Sequence, residues 1–271
     1  MDWNKTKSIF IIVFSILNIF LYSLYVNRSI EFENVSPLGD DEIADRLAGD
    51  KITIPSDLPE SVDAEPYLSG TRATITEELV PGEEIQINIQ DGTLLQASFD
   101  EPLPLPEGDE KEVLESFLQE HVYKGEEYVL WEVDEEANKA VFFQVINGKT
   151  LYYSDSGQVT LYWNEEGEAT RYEQTIFEDL VQNKQEKELI SPRRAIETLY
   201  QKSVLQPNTN IDGVDQGYSV YVPVSERIRM FVPTWRIRAT LEDGTKKEFY
   251  VNAVKDTVIE LKQAEEEEGI E

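Results

Sequence analysis

The sequence predicts an α+β protein: one N-terminal transmembrane helix followed by two extracytoplasmic domains, each a helix packed on an antiparallel sheet. Three observations lead there. Ser8–Val26 is a run of nineteen residues without a charge. The rest of the chain is polar enough to stay in water, yet the whole is 40% hydrophobic, sufficient for a core. Finally, an amphipathic helix followed by short alternating strands occurs twice in order along the chain.

The first seven residues form a cytosolic N-terminus (1–7), and 8–26 is the span. Within Ile9–Val26, thirteen of eighteen positions are Ile, Leu, Phe or Val. At the centre of a helix those side chains favour insertion by roughly 4–8 kcal/mol. That outweighs Ser15, Asn18 and Ser23, whose polar groups cost about 1–3 kcal/mol each. About 20 helical residues cross a hydrocarbon core roughly 30 Å thick, so the length fits. The segment ends Tyr22-Ser23-Leu24-Tyr25-Val26, too bulky for an Ala-x-Ala cleavage site, so the helix is expected to stay as an anchor. Lys5 and Lys7 precede it and Arg28 follows, which places the N-terminus in the cytosol and the remainder outside the cell membrane. Trp3, Lys5, Lys7 and Arg28 are the membrane-interface anchors.

Residues 27–50 are acidic, contain Pro37 and Gly39, and read as a stalk, with Asp40–Leu47 a short helix. The first domain is expected over 51–183. Thr71–Ile75 and Ile85–Ile89 alternate with period two, and Gln90–Thr93 is a hairpin turn returning through Leu94–Phe99. Pro102, Pro104 and Pro106 read as a stiff connector. Asp109–Tyr123 is the amphipathic helix, followed by strands at Tyr128–Val133, Ala140–Ile146, Leu151–Tyr153 and Val159–Trp163. The second domain, 184–263, opens a helix at Ser191 as N-cap and Pro192 at its first turn. Strands follow at Gly217–Val224, Ile228–Phe231, Thr234–Leu241, Lys247–Asn252 and Thr257–Leu261. An acidic tail, 264–271, closes the chain.

Charge and inventory restrict the chemistry. The chain carries 24 basic and 54 acidic residues, a net charge of −30. Such a surface repels phosphate backbones, so nucleic acid is not a partner. With no cysteine there are no disulfides, thiol catalysis or Cys-based zinc sites. His121 is the only histidine and lies on or just after a predicted helix, where a surface or partly packed role is expected. No nucleophile elbow, His-Glu-x-x-His motif or phosphate-binding glycine loop occurs. Among 54 carboxylates nothing singles out a catalytic or calcium-binding set. No enzyme activity, cofactor or metal site is expected. Trp131, Trp163 and Trp235 fall in strands and read as core residues.

The span carries the sharper functional signal. At 100° per residue, Ser8, Ser15, Asn18, Tyr22 and Tyr25 share an arc of about 100°. Lipid is as apolar as Leu, so small and hydrogen-bonding residues on one side favour a helix partner. Asn18 is the centre of this partner-contact face, and a second copy of the chain is one candidate to meet it.

The opening run Met1-Asp2-Trp3-Asn4-Lys5-Thr6-Lys7-Ser8-Ile9-Phe10-Ile11-Ile12-Val13-Phe14, with Leu17-Asn18-Ile19-Phe20-Leu21, resembles the start of the YycI (WalI) family. Pro233-Thr234-Trp235-Arg236 and Tyr250-Val251-Asn252-Ala253 extend the likeness. The resemblance implies a single-pass membrane regulator of an essential two-component system of Gram-positive bacteria. Its implied partners are a YycH-like protein and the sensor histidine kinase YycG (WalK), which controls cell-wall metabolism through YycF (WalR). Control through the transmembrane helix is likewise what the resemblance implies. The alternative is an extracytoplasmic binding module for a wall fragment or protease, with the span only an anchor.

Overall fold

The computed structural model describes Lys7, 13–14, 17–18, 40–82, 85–105 and 108–260. Two compact units emerge, Met1–Gly49 and Asp50–Glu271. In the first, Lys7, Val13, Phe14, Leu17 and Asn18 are helical, and α1 spans Asp40–Gly49 with Ile43 and Leu47 buried. Among the described residues no helix is long and apolar enough to cross a membrane. Most of the expected span lies outside them, as do the expected stalk up to 39 and the acidic tail.

In the second unit thirteen strands form one hydrogen-bonded network. β1 (Glu65–Arg72) precedes the hairpin of β2 (Ile85–Gln90) and β3 (Leu94–Pro104). Asp91 and Gly92 turn that hairpin with φ of 50° and 67°, and the Thr93 amide donates to the Gln90 carbonyl at 3.0 Å. The strand continues into the expected proline connector: a register shift between Ser98 and Leu103 takes up Pro102. A bulge is one of the few places in a sheet that tolerates the missing donor.

Helix α2 (Glu110–His121) starts where Asp109 accepts from the Glu112 amide at 3.3 Å. It buries Leu114, Phe117 and Leu118. They pack on the inward residues of β4 (Tyr128–Asp134), β5 (Lys139–Ile146), β7 (Gln158–Trp163) and β8 (Glu168–Thr175), among them Tyr128, Phe142, Leu161 and Tyr172. This antiparallel sheet runs β4-β5-β7-β8-β3-β2.

The second helix-plus-meander follows the same plan. Ser191 accepts from the Arg194 amide at 3.2 Å and Pro192 opens α3 (Pro192–Gln201). Its buried Ala195, Ile196 and Leu199 lie toward β11 (Ile228–Thr240), β12 (Lys246–Asn252) and β13 (Thr257–Ile259), which continue from β10 (Asn210–Pro223). β11 joins two segments the sequence separates at Pro233. The first part of its edge pairs with β1 up to Phe231 and the second with β12 from Thr234. The proline's missing N–H therefore falls in the gap between two partners, and its carbonyl still accepts from Ala253 at 2.9 Å.

Two links join these layers. β6 (Lys149–Tyr152), the return of a hairpin from β5, runs parallel to β10 through Tyr218↔Leu151 and Ser219↔Tyr152. β9 (Phe177–Lys187) pairs antiparallel with β1, which in turn pairs with β11. The boundary expected between 183 and 184 lies inside β9. Both helix-plus-meander units are present, and Asp50–Glu271 clusters as one compact unit.

Candidate functional site

Of the expected partner-contact face, Ser8, Ser15, Tyr22 and Tyr25 lie outside the described residues, as do the anchors Trp3, Lys5 and Arg28. Lys7 is helical and exposed. Asn18 is described: its Nδ2 donates to the Phe14 carbonyl at 2.9 Å, one turn back. A carboxamide has two N–H donors and an acceptor oxygen, and this bond uses one donor. Val13, Phe14 and Leu17, on the same helical stretch, are exposed apolar side chains.

The densest polar and aromatic assembly of the second unit sits at the junction of its two meanders. Tyr153, just after β6, has φ of 39°, a conformation that costs a bulky residue of order 1–3 kcal/mol. Its ring is held by Phe143 at 5.1 Å, Trp131 at 5.7 Å and Tyr250 at 5.8 Å between centroids. The Trp131 Nε1 donates to the Tyr153 hydroxyl at 3.1 Å. From β11, the Arg236 guanidinium lies 4.0 Å over the Trp131 ring and pairs with Glu248 of β12. Burial raises the pKa of the Tyr152 and Tyr250 hydroxyls, and for Tyr250 the Glu248 carboxylate adds to it. Both hydroxyls stay protonated. For Arg236 burial works the other way, but the bond and charge of Glu248 raise its pKa overall.

Two further clusters close the same junction. Arg229 donates to Asp155 through Nη2 at 2.7 Å and Nε at 3.1 Å, and Arg72 pairs with the same carboxylate. Asp155 thus ties β1 and β11 to the turn before β7. Glu65 of β1 meets Lys149 of β6 and accepts from the Tyr218 hydroxyl of β10 at 3.2 Å. Beneath them Leu68, Ile146, Leu151, Phe177, Tyr218 and Phe231 form an apolar cluster drawn from both meanders.

Elsewhere the chemistry is structural. His121 stacks against Phe117 at 4.5 Å at the end of α2 and lies 3.9 Å from Glu120. Lys124 and Tyr123 converge on Glu178 at 2.6 and 3.1 Å; the Lys124 hydrogen bond holds that carboxyl below its ordinary pKa. Trp235 is buried, its Nε1 donating to the Ile190 carbonyl at 2.9 Å, while Trp131 and Trp163 are half-buried. Among the described residues no three His, Asp or Glu side chains converge as a metal site. The junction was not legible as a site in the sequence. The signals that could have marked it are the adjacent aromatics Tyr152-Tyr153 and a glycine, Gly217, within a strand.

This arrangement is a two-module α+β scaffold whose joint carries its specialised contacts. A family model described as YycI protein matches residues 33–254, and the chain belongs to the YycI family. No curated protein matches the sequence. Among solved structures, an uncharacterized protein from Eubacterium rectale is similar at 10% identity, covering 78% of this chain and 89% of that one, with a TM-score of 0.47. YycH from Bacillus subtilis is similar at 12% identity over 72% of this chain and 55% of its own, with a TM-score of 0.41. The Bacillus megaterium YpeB C-terminal domain has 13% identity over 83% and 99%, with a TM-score of 0.37.

Proposed function

We propose that this protein is a non-enzymatic, membrane-anchored accessory regulator of the sensor kinase in the YycFG system, acting beside a YycH-like partner. The observation that carries this reading is family membership over residues 33–254. The uncharged run Ser8–Val26 supports a single span with the C-terminal unit outside the cell membrane. Asn18, Ser15, Ser8, Tyr22 and Tyr25 are the face that meets the kinase helices. A helix that packs better against one of two kinase states by about 1–3 kcal/mol shifts their balance from several-fold to about a hundred-fold. No catalytic step is needed for that effect.

The test is co-purification of the full-length chain with the membrane kinase, wild type against Asn18→Leu combined with Ser15→Leu. Capture lost at equal membrane expression supports recognition through the span. Undiminished capture refutes it, and absence of capture for both forms removes the kinase partnership.

A further inference from the structure

We propose that the helix-free face of the β7-β8-β3-β2 sheet is a binding surface for a neutral oligosaccharide, a role independent of the kinase reading. The register brings two rows of side chains across four strands. One row is Thr160, Glu173, Gln96 and Asn88; the other is Tyr162, Arg171, Ser98 and Gln86. The helix α2 core takes the alternate residues of the same strands, such as Leu95, Ala97, Leu161 and Tyr172. What the rows present is therefore this sheet's outward face.

Its composition departs from the rest of the molecule. The chain has a net charge of −30, and 29% of its residues are charged. In these two rows the charges are Arg171 and Glu173, paired with each other at 2.7 Å. Asn is among the residues depleted in strands generally. Here three carboxamides stand in two adjacent rows, and Gln90 lies beside them. Asn88 and Gln90 donate to the Gln96 oxygen at 3.0 and 2.9 Å, and Gln96 donates to Glu173 at 3.2 Å. This ladder fixes the amides while leaving each with further donor or acceptor capacity.

The face is also recessed. A cavity of about 320 Å³ is lined by Gln86, Asn88, Gln96, Ser98 and Arg171 among others. A second, of about 230 Å³, is lined by Glu173, Gln158, Thr160, Thr175, Ser154 and Asp155 among others. The Ser154 hydroxyl is buried without a hydrogen-bond partner among the described residues. A buried hydroxyl left unpaired is costly, and a ligand hydroxyl reaching the second cavity would satisfy it.

The chemistry selects the occupant. An anionic ligand meets an acidic protein whose cation in these rows, Arg171, is already engaged, and a cationic one finds Glu173 paired with Arg171 and Asp155 paired with Arg72 and Arg229. Fixed amides and hydroxyls that both donate and accept match the hydroxyl and acetamido groups of a sugar. Adjacent strands stand about 4.8 Å apart, close to the length of one pyranose in a β-1,4-linked chain. A glycan lying across the strands would thus offer one ring to each. Arg171 covers the Tyr162 ring at 3.6 Å and sets one end of the groove.

The experiment is titration calorimetry of the full-length protein with chitotetraose, in a detergent without a sugar headgroup. Wild type is compared with Asn88→Asp combined with Gln96→Glu, which keep side-chain size and add charge. We expect saturable binding by wild type and at least a tenfold loss in the variant, with thermal unfolding of both within a few degrees. Should the variant unfold early, Asn88→Ala alone, on an exposed side chain, replaces it, with at least threefold weaker binding expected. No binding by wild type at millimolar sugar overturns the proposal, as does binding that the substitutions leave unchanged. Saturable binding of an extended neutral peptide with none of the sugar would reassign the groove to polypeptide and overturn it equally.

Discussion

Gly217→Ala tests whether the β6–β10 contact holds the two meanders together. A Cβ at Gly217 would overlap the Tyr152 ring and the Thr150 carbonyl oxygen of β6. The ring could swing aside, but the carbonyl is backbone and part of the strand itself. Relief requires β6 and β10 to separate by about 1 Å, the shortfall from an ordinary C···O contact of about 3.4 Å. Hydrogen bonds lengthened by about 1 Å are lost. Only the pairs at Tyr218↔Leu151 and Ser219↔Tyr152 join these strands. At about 1 kcal/mol net per bond, losing two costs about 2 kcal/mol. Overpacking of the Tyr152 ring adds about 1–3 kcal/mol, and the lower entropy of an unfolded alanine chain returns about 0.4–1 kcal/mol. The net is a destabilisation of about 3 kcal/mol, or about 6–12 °C in Tm for a domain of this size. The assay is thermal unfolding of the detergent-solubilised chain followed by circular dichroism, with Gly49→Ala as control. A Cβ at Gly49 meets nothing within 4 Å, so that variant should match or slightly exceed wild type. A Gly217→Ala transition within 2 °C of wild type would refute the reasoning.

Other substitutions probe the same scaffold. Asp155→Asn removes the carboxylate shared by Arg72 and by the mostly buried Arg229. It should cost about 1–3 kcal/mol in urea unfolding, less than a fully buried pair because Asp155 is half exposed. Ser191→Ala deletes the cap on α3 and should cost about 1 kcal/mol in the same assay. Glu178 has its folded pKa lowered below 4.5 by the Lys124 bond. Its contribution is complete above the unfolded carboxyl pKa and is lost as pH falls through the folded one. Glu178→Gln should therefore flatten the fall in stability between about pH 5 and 3, and cost about 0.5–1 kcal/mol at pH 7.

Elements with a conventional signal were legible from residues alone. The Asp109 and Ser191 helix starts, the Asp91-Gly92 turn and the Ile85–Ile89 alternation all appear where local chemistry places them. The failures have physical causes. β8 carries Ala169 and Gln174 at inward positions, so its alternation is too weak to read. Between its ends β9 exposes nearly every residue because it pairs through its backbone along an edge, which leaves no period in the side chains. Its polar run therefore passes for a linker and attracts the boundary at 183/184. Pro233 divides β11 on paper, whereas the change of partner from β1 to β12 leaves room for it. The junction is the least legible feature of all, since Arg72, Asp155 and Arg229 meet only after the strands are paired. Of the seam expected around Asn18 from spacing alone, only Asn18 itself lies among the described residues.

The distribution of basic residues makes the junction more than a point of contact. With 24 cations against 54 acids, most acidic side chains must rely on water and counterions to soften their mutual repulsion. Yet Arg72 and Arg229 both attend Asp155, Arg236 bridges toward Asp215 and Glu248, and Lys149 meets Glu65. These carboxylates come from β1, β10, β12 and the turn before β7, segments distant in sequence. Bringing them together without cations would add repulsion where the two-pair β6–β10 link, the β9-β1-β11 pairing and an apolar cluster oppose separation. Each arginine there does two things at once: it forms its own bonds, and it neutralises the approach of strands that would otherwise part. Removing one therefore costs more than a surface ion pair would, because the acids left behind still face one another across the joint.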